Sequence, residues 1–171
     1  YMHGVHVVGG SNPLAPTIDL LHSPFSSTFM SLSQKQPTSY FGLTIPFLDF
    51  IGVVPDFAEN GKSRICLDLR PEHLNSFQVG HGGLSMTLLD FAMAAAARSV
   101  YPNAKGMVTI DMTVSFMRPS TGKLIIEGKL LKAGKNINYC EGEVINESGV
   151  VTAKALGSFC LLYTSPSPRD R

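Results

Sequence analysis

Asp90 is the sole charge between His81 and Arg98, in the middle of the apolar run Leu84-Ser-Met-Thr-Leu-Leu-Asp-Phe-Ala-Met-Ala-Ala-Ala-Ala97. A carboxylate in apolar surroundings is costly unless it is paired. An acid here is therefore either a structural partner or a working group. As a working group it can serve as general base toward water or as nucleophile on an acyl compound. Upstream of it stands His81-Gly82-Gly83, at the point where a loop turns into a helix. A helix start offers unpaired backbone N–H groups and a partial positive charge, and glycine lets a ligand come close to the backbone. Such a site can hold a carbonyl oxygen as it becomes an oxyanion. Glycines at helix starts also serve turn geometry alone, so that reading stays open. Gly82 and Asp90 are eight residues apart, which is ~12 Å along a helix axis. A donor and a base acting on one carbonyl must both lie within a few ångströms of it. If both are catalytic they come from different chains, which predicts an obligate dimer with two composite sites.

The elements that must position these residues are legible in the periodicity. Residues 45–51 read as a short helix with Pro46 in its first turn. Two strand-like runs, 53–57 and 63–69, flank Glu59-Asn60-Gly61-Lys62, and Asn-Gly is a strong hairpin signal. Residues 71–81 form a loop. Residues 82–100 form the one long helix, stopped near Tyr101-Pro102. Four further strand-like runs follow, 107–117, 123–132, 137–145 and 150–162, separated by turns rich in Pro, Gly and Asn. The long helix is apolar nearly all round, so most of its sides must be covered. A six-stranded antiparallel sheet wrapped around one buried helix meets that demand, an α+β architecture.

The ends read differently. Residues 1–42 hold Pro13, Pro16, Pro24 and Pro37 with much Ser and Thr, and are expected to be a disordered or non-native arm. Met30 is a credible true start. Residues 163–171, from Tyr163-Thr-Ser-Pro onward, are expected to be a non-native tail. The domain between them is placed at 43–162. The chain of 171 residues is 44% hydrophobic and 16% charged, enough for one core and sparing in surface charge. That balance fits surface hidden in an oligomer. A net charge of +1 provides no basic field for nucleic acid. Three widely spaced cysteines, Cys66, Cys140 and Cys160, suggest neither disulfides nor a metal site and fit a reducing cytoplasm. No signal peptide or membrane-spanning run is expected.

Asn75, then His81-Gly82-Gly83, then Asp90 resemble the pattern of PaaI-type acyl-CoA thioesterases of the hotdog superfamily. The resemblance covers residues 43–162 in element order, and Met107-Val-Thr-Ile-Asp-Met-Thr-Val-Ser-Phe-Met-Arg-Pro119 is similar to the family's third strand. It implies a hotdog fold and hydrolysis of aryl or short-to-medium acyl-CoA by a homodimer or homotetramer, without cofactor or metal. Asp90 would activate or replace the attacking water. Gly82 of the partner chain would polarise the thioester carbonyl, Asn75 would assist it, and Thr109 would position the nucleophile. His81, Gly83, Gln78 and Phe77 are candidates for the substrate-binding loop, with His81 bonding that loop as a structural residue and Gln78 reading equally as solvent-facing. One departure stands out: many members have a glycine where this chain has Gln78.

Other residues are weighed more lightly. Arg98, Arg118, Lys132 and Lys135 are candidates for CoA phosphates. Phe47, Phe50, Ile51, Phe77 and Met86 are candidates for an acyl pocket, although each reads equally as core. Asp111 is expected to face outward or to pair across an interface, and Cys140 to be a half-buried strand residue. Two rival functions are a hotdog hydratase or dehydratase, which would use a catalytic histidine in another local motif, and a non-catalytic acyl-CoA-binding module, which would have no use for a mid-helix acid.

Overall fold

The computed structural model describes residues 37–162. The expectations for 1–36 and for the tail 163–171 lie outside the described residues. The first described element is a miniature hairpin, β1 (Ser39–Tyr40) paired with β2 (Leu43–Thr44). It overlaps the residues assigned to the arm. Tyr40 is fully buried, and its hydroxyl donates to Asp49 Oδ1 at 3.0 Å and to the Val53 carbonyl at 3.2 Å. The packed unit therefore takes in residues before 43. A lone tyrosine in a Pro/Ser-rich stretch shows no periodicity, so nothing local marked it as core.

Helix α1 (Pro46–Ile51) starts with proline at its first turn and ends on Gly52 in the left-handed conformation, φ 77°. Strands β3 (Val54–Glu59) and β4 (Lys62–Asp68) follow, with Glu59 opposite Lys62. Asn60 and Gly61 both take positive φ, 51° and 75°, as a tight two-residue turn of the predicted kind requires. Helix α2 (Gly82–Arg98) and strands β5 (Gly106–Phe116), β6 (Lys123–Lys132), β7 (Ile137–Asn146) and β8 (Val151–Leu162) complete the fold. All pairings are antiparallel, in the order β3-β4-β6-β7-β8-β5. The predicted six-stranded sheet around one long helix is what the chain builds. α2 ends at Arg98, two residues before the expected stop. There Ser99 donates to the Ala96 carbonyl at 2.7 Å and accepts the Gly61 N–H at 2.8 Å, tying the helix end to the β3–β4 turn.

The core lies between α2 and the sheet. Leu88, Leu89, Ala92, Met93 and Ala96 are fully buried, as are Ile65, Leu67, Leu124, Ile126 and Val144 from alternate positions of the strands. Close approach is possible because Gly128 and Gly142 face each other on β6 and β7 beneath the helix. A Cβ at Gly128 would lie 2.3 Å from the Ala92 carbonyl oxygen.

Strand β5 breaks its own alternation. Its register with β8 jumps between Thr109 and Asp111, leaving Ile110 as a bulge. Before the bulge Met107 and Thr109 point toward α2; after it Met112 and Val114 pack on the core. One extra residue shifts the side-chain phase, which keeps both halves of the strand turned to the helix.

Candidate active site

Asp90 and Thr109, two of the residues expected to take part in chemistry, are brought together by α2 and β5. Thr109 Oγ1 donates to Asp90 Oδ1 at 2.6 Å across 19 residues of sequence. Asp90 is half-buried, and its second oxygen has no hydrogen-bond partner among the described residues. Its apolar neighbours Leu88 and Leu89 turn inward, while Asp90 itself lines a cavity of about 280 Å³. The cavity is walled by Tyr40, Leu43, Phe47, Phe91 and Met107 among others. It is mostly apolar, with a few convergent polar groups, the usual make-up of a small-molecule site.

The loop before α2 is organised by Asn75 and two histidines. Asn75 Oδ1 accepts the N–H groups of Phe77 at 2.9 Å and Val79 at 3.4 Å, and its own carbonyl accepts from Gln78. His81 caps the helix: its Nδ1 accepts the Gly83 N–H at 2.9 Å, and its carbonyl accepts from Leu84 and Ser85. That bond places the ring proton on Nε2. His73 is buried, accepts the Arg70 N–H through Nδ1, and its carbonyl holds the His81 N–H at 2.9 Å. Burial, reinforced by the Arg70 charge, lowers the His73 pKa from its ordinary value and favours the neutral ring. Of the first helical N–H groups, those of Gly83, Leu84 and Ser85 are thus engaged. The Gly82 N–H has no acceptor among the described residues. A Cβ at Gly82 would meet the exposed ring of Phe116 at 3.4 Å.

Gln78 has φ 60°, the left-handed region where glycine is at ease. This is the position at which the sequence departs from the family pattern, and the backbone there still has the shape a glycine would take. Gln78 and Phe77 are exposed, Phe77 to 83%.

Asp90 and Thr109 share the cavity; Asn75, Phe77, Gln78, His81, Gly82 and Gly83 do not line it. The two halves of the expected site lie on separate parts of one chain, as the helix spacing required. Phe47 lines the cavity, whereas Phe50, Ile51, Phe77 and Met86 do not. Arg98 lines it too, while Arg118, Lys132 and Lys135 are elsewhere. Asp111 is exposed, and it is paired within the chain: its Oδ1 accepts from the Ser158 hydroxyl at 2.5 Å and the Ser158 N–H at 3.2 Å. Cys140 is 1% exposed rather than half-buried, and burial pushes its thiol up to about 12, which removes it as a nucleophile. Sequence reading missed Tyr40, Leu43 and Met107 as cavity walls. The phase break in β5, where Met107 and Met112 fall on opposite parities, was the available signal for the last.

A family model described as the thioesterase superfamily matches residues 77–153. A relative from Halobacterium salinarum, named "Putative esterase VNG_1336C", is 32% identical over 113 residues, covering 63% of this chain and 74% of its own length. The chain belongs to the thioesterase superfamily. This thioesterase is also 29% identical over 93 residues to human acyl-coenzyme A thioesterase 13, across 53% of the chain and 66% of the human protein. Its fold is that of the Escherichia coli PaaI protein from the phenylacetic acid degradation operon, with a TM-score of 0.64 over 69% of this chain and 85% of that one. At 22% identity that likeness speaks to the hotdog fold. The thioesterase is accordingly a thioester hydrolase. Among the described residues, no helix is long and apolar enough to cross a membrane.

Proposed function

We propose that this thioesterase hydrolyses aryl or short-to-medium acyl-CoA to the free acid and CoA, with Asp90 as general base or nucleophile. The observation that supports it is the Asp90–Thr109 hydrogen bond on the wall of an apolar cavity. Thr109 holds one carboxylate oxygen and leaves the other for water. Asp90 takes a proton from that water, the water oxygen bonds to the thioester carbonyl carbon, and the carbonyl π electrons move onto oxygen. When the carbonyl re-forms, the C–S bond breaks and the CoA thiolate leaves with the proton. In the nucleophilic variant the carboxylate oxygen attacks first, and water then cleaves the resulting anhydride. A thioester suits this apparatus because its thiolate leaves readily.

The oxyanion donor in this reading is the Gly82 N–H of a second copy, assisted by Asn75, with His81, Gly83, Gln78 and Phe77 shaping the loop around the substrate. Two features support a dimer. The first is the ~12 Å between Gly82 and Asp90 along α2. The second is β5, which is eleven residues long, lies at the end of the sheet, and exposes Val108, Ile110 and Phe116. A long apolar edge strand is a template for pairing with another chain. The acyl-CoA class is supported by the name of the human relative. The cytoplasm is proposed as the compartment, supported by three free thiols.

Replacing Asp90 by Ala removes the base and little volume. It is expected to lower kcat/KM for acyl-CoA by roughly 10²–10⁴-fold with the oligomer unchanged in sedimentation. Full activity in that variant would sink the mechanism. Thiol release from acyl-CoA, with no hydration of enoyl-CoA, separates the hydrolase from a hydratase.

A further inference from the structure

The face of α2 that lines the cavity consists of Thr87, Asp90, Phe91, Ala94, Ala95 and Arg98. Their spacing of three and four residues puts them on one stripe of the helix. The stripe has an acid toward one end, a base at the other, and two alanines between them that leave room for a ligand. Asp90 and Arg98 are eight residues apart, ~12 Å along the axis, too far to neutralise each other directly. Arg98 Nη1 donates to the Phe41 carbonyl at 2.9 Å. Its Nε is buried and has no partner. Among the described residues no carboxylate forms an ion pair with Arg98. Of the five N–H donors of a guanidinium, one goes to the Phe41 carbonyl and the Nε–H has no acceptor, at the end of the cavity away from Asp90 and Thr109.

Arg98 as a whole is half-buried, but a buried N–H without an acceptor is unfavourable, and a neutral hydrocarbon chain filling this cavity would leave the Nε–H so. A carboxylate at the far end of the acyl group would supply the acceptor in the planar, two-oxygen geometry that a guanidinium matches best. We infer that Arg98 is a specificity residue and that the preferred substrates are ω-carboxyacyl thioesters, the monothioesters of short-to-medium dicarboxylic acids. The thioester carbonyl sits at Asp90, the methylenes lie over Ala94 and Ala95, and the terminal carboxylate meets Arg98. The inference rests on hydrolysis occurring at Asp90. It also reassigns Arg98 from the CoA phosphates to the acyl end.

The test compares matched pairs, adipyl-CoA with hexanoyl-CoA and suberyl-CoA with octanoyl-CoA. The wild type should favour the ω-carboxy member in kcat/KM by roughly 10- to 100-fold, the size of one charge-assisted pair. Arg98→Met should collapse that ratio, and Arg98→Lys should restore part of it. The same preference should hold for pantetheine thioesters, which lack the nucleotide phosphates. No ω-carboxy preference in the wild type would overturn the inference. So would an equal fall for both members in Arg98→Met, the mark of a purely structural tie to Phe41, or a preference lost with pantetheine thioesters, the mark of a CoA contact. Inactivity toward every thioester would instead count against hydrolysis at Asp90. Calorimetric binding of adipyl-CoA and hexanoyl-CoA to wild type and Arg98→Met would then still decide the role of Arg98.

Discussion

Asp90 is informative through its residue type and its setting together. One acid in a helix otherwise free of charge demands a partner or a task, and the fold provides Thr109 at 2.6 Å. The pairing crosses from helix to strand, so no local pattern contains it; the family resemblance pointed to it. Gln78 shows the opposite case. Its residue type hid the backbone shape, and only φ 60° reveals that a glycine would suit the position. Relief of left-handed strain outweighs the added chain entropy of glycine. Gln78→Gly should therefore raise stability by about 0.5 kcal/mol, seen as a higher melting temperature with the Asn75 turn intact. A lower melting temperature would mean that the glutamine side chain makes a contribution larger than the strain.

At the scale of elements, the fit between α2 and the sheet depends on what is missing. Gly128 has no side chain where the Ala92 carbonyl comes down, and the Ser63 hydroxyl donates to that same carbonyl at 2.6 Å. A Cβ at Gly128 would lie 2.3 Å from the oxygen and 2.7 Å from Ser63 Oγ. Gly128→Ala must displace the helix or break the bond, and should destabilise the fold by about 3 kcal/mol. Chemical denaturation checks this, and a loss below about 1 kcal/mol would show that helix and sheet can separate freely. The strands themselves were legible from alternation and turn residues, within a residue or two. The bulge at Ile110 was not, because register is set by the pairing of β5 with β8 rather than by β5 alone.

For the whole molecule, the proposed dependence of the site on two chains can be put to a direct test. Gly82 is the first residue of α2, and His81 before it has φ −63° and ψ 136°. Both conformations accept proline at position 82, so Gly82→Pro deletes the N–H and leaves the helix. Mixed with Asp90→Ala protomers, it should give heterodimers with one intact site each. Recovery of about a quarter of wild-type activity is expected when subunits exchange freely in a two-fold dimer. No recovery in heterodimers verified by differential tagging would count against a composite site.

The sequence by itself determined the element order, the buried helix and the Asn-Gly hairpin, and it singled out Asp90 as a lone charge, because each follows from local periodicity or from the expense of such a charge. The tertiary structure decided which walls surround that acid. Tyr40, Leu43 and Met107 come from segments before and after α2, and they meet only when the sheet closes on the helix. It also decided the placement of Arg98, which reads in sequence as one of four candidate bases for the CoA phosphates. Only the closed fold turns that base into a cavity wall, with a buried Nε that has no partner.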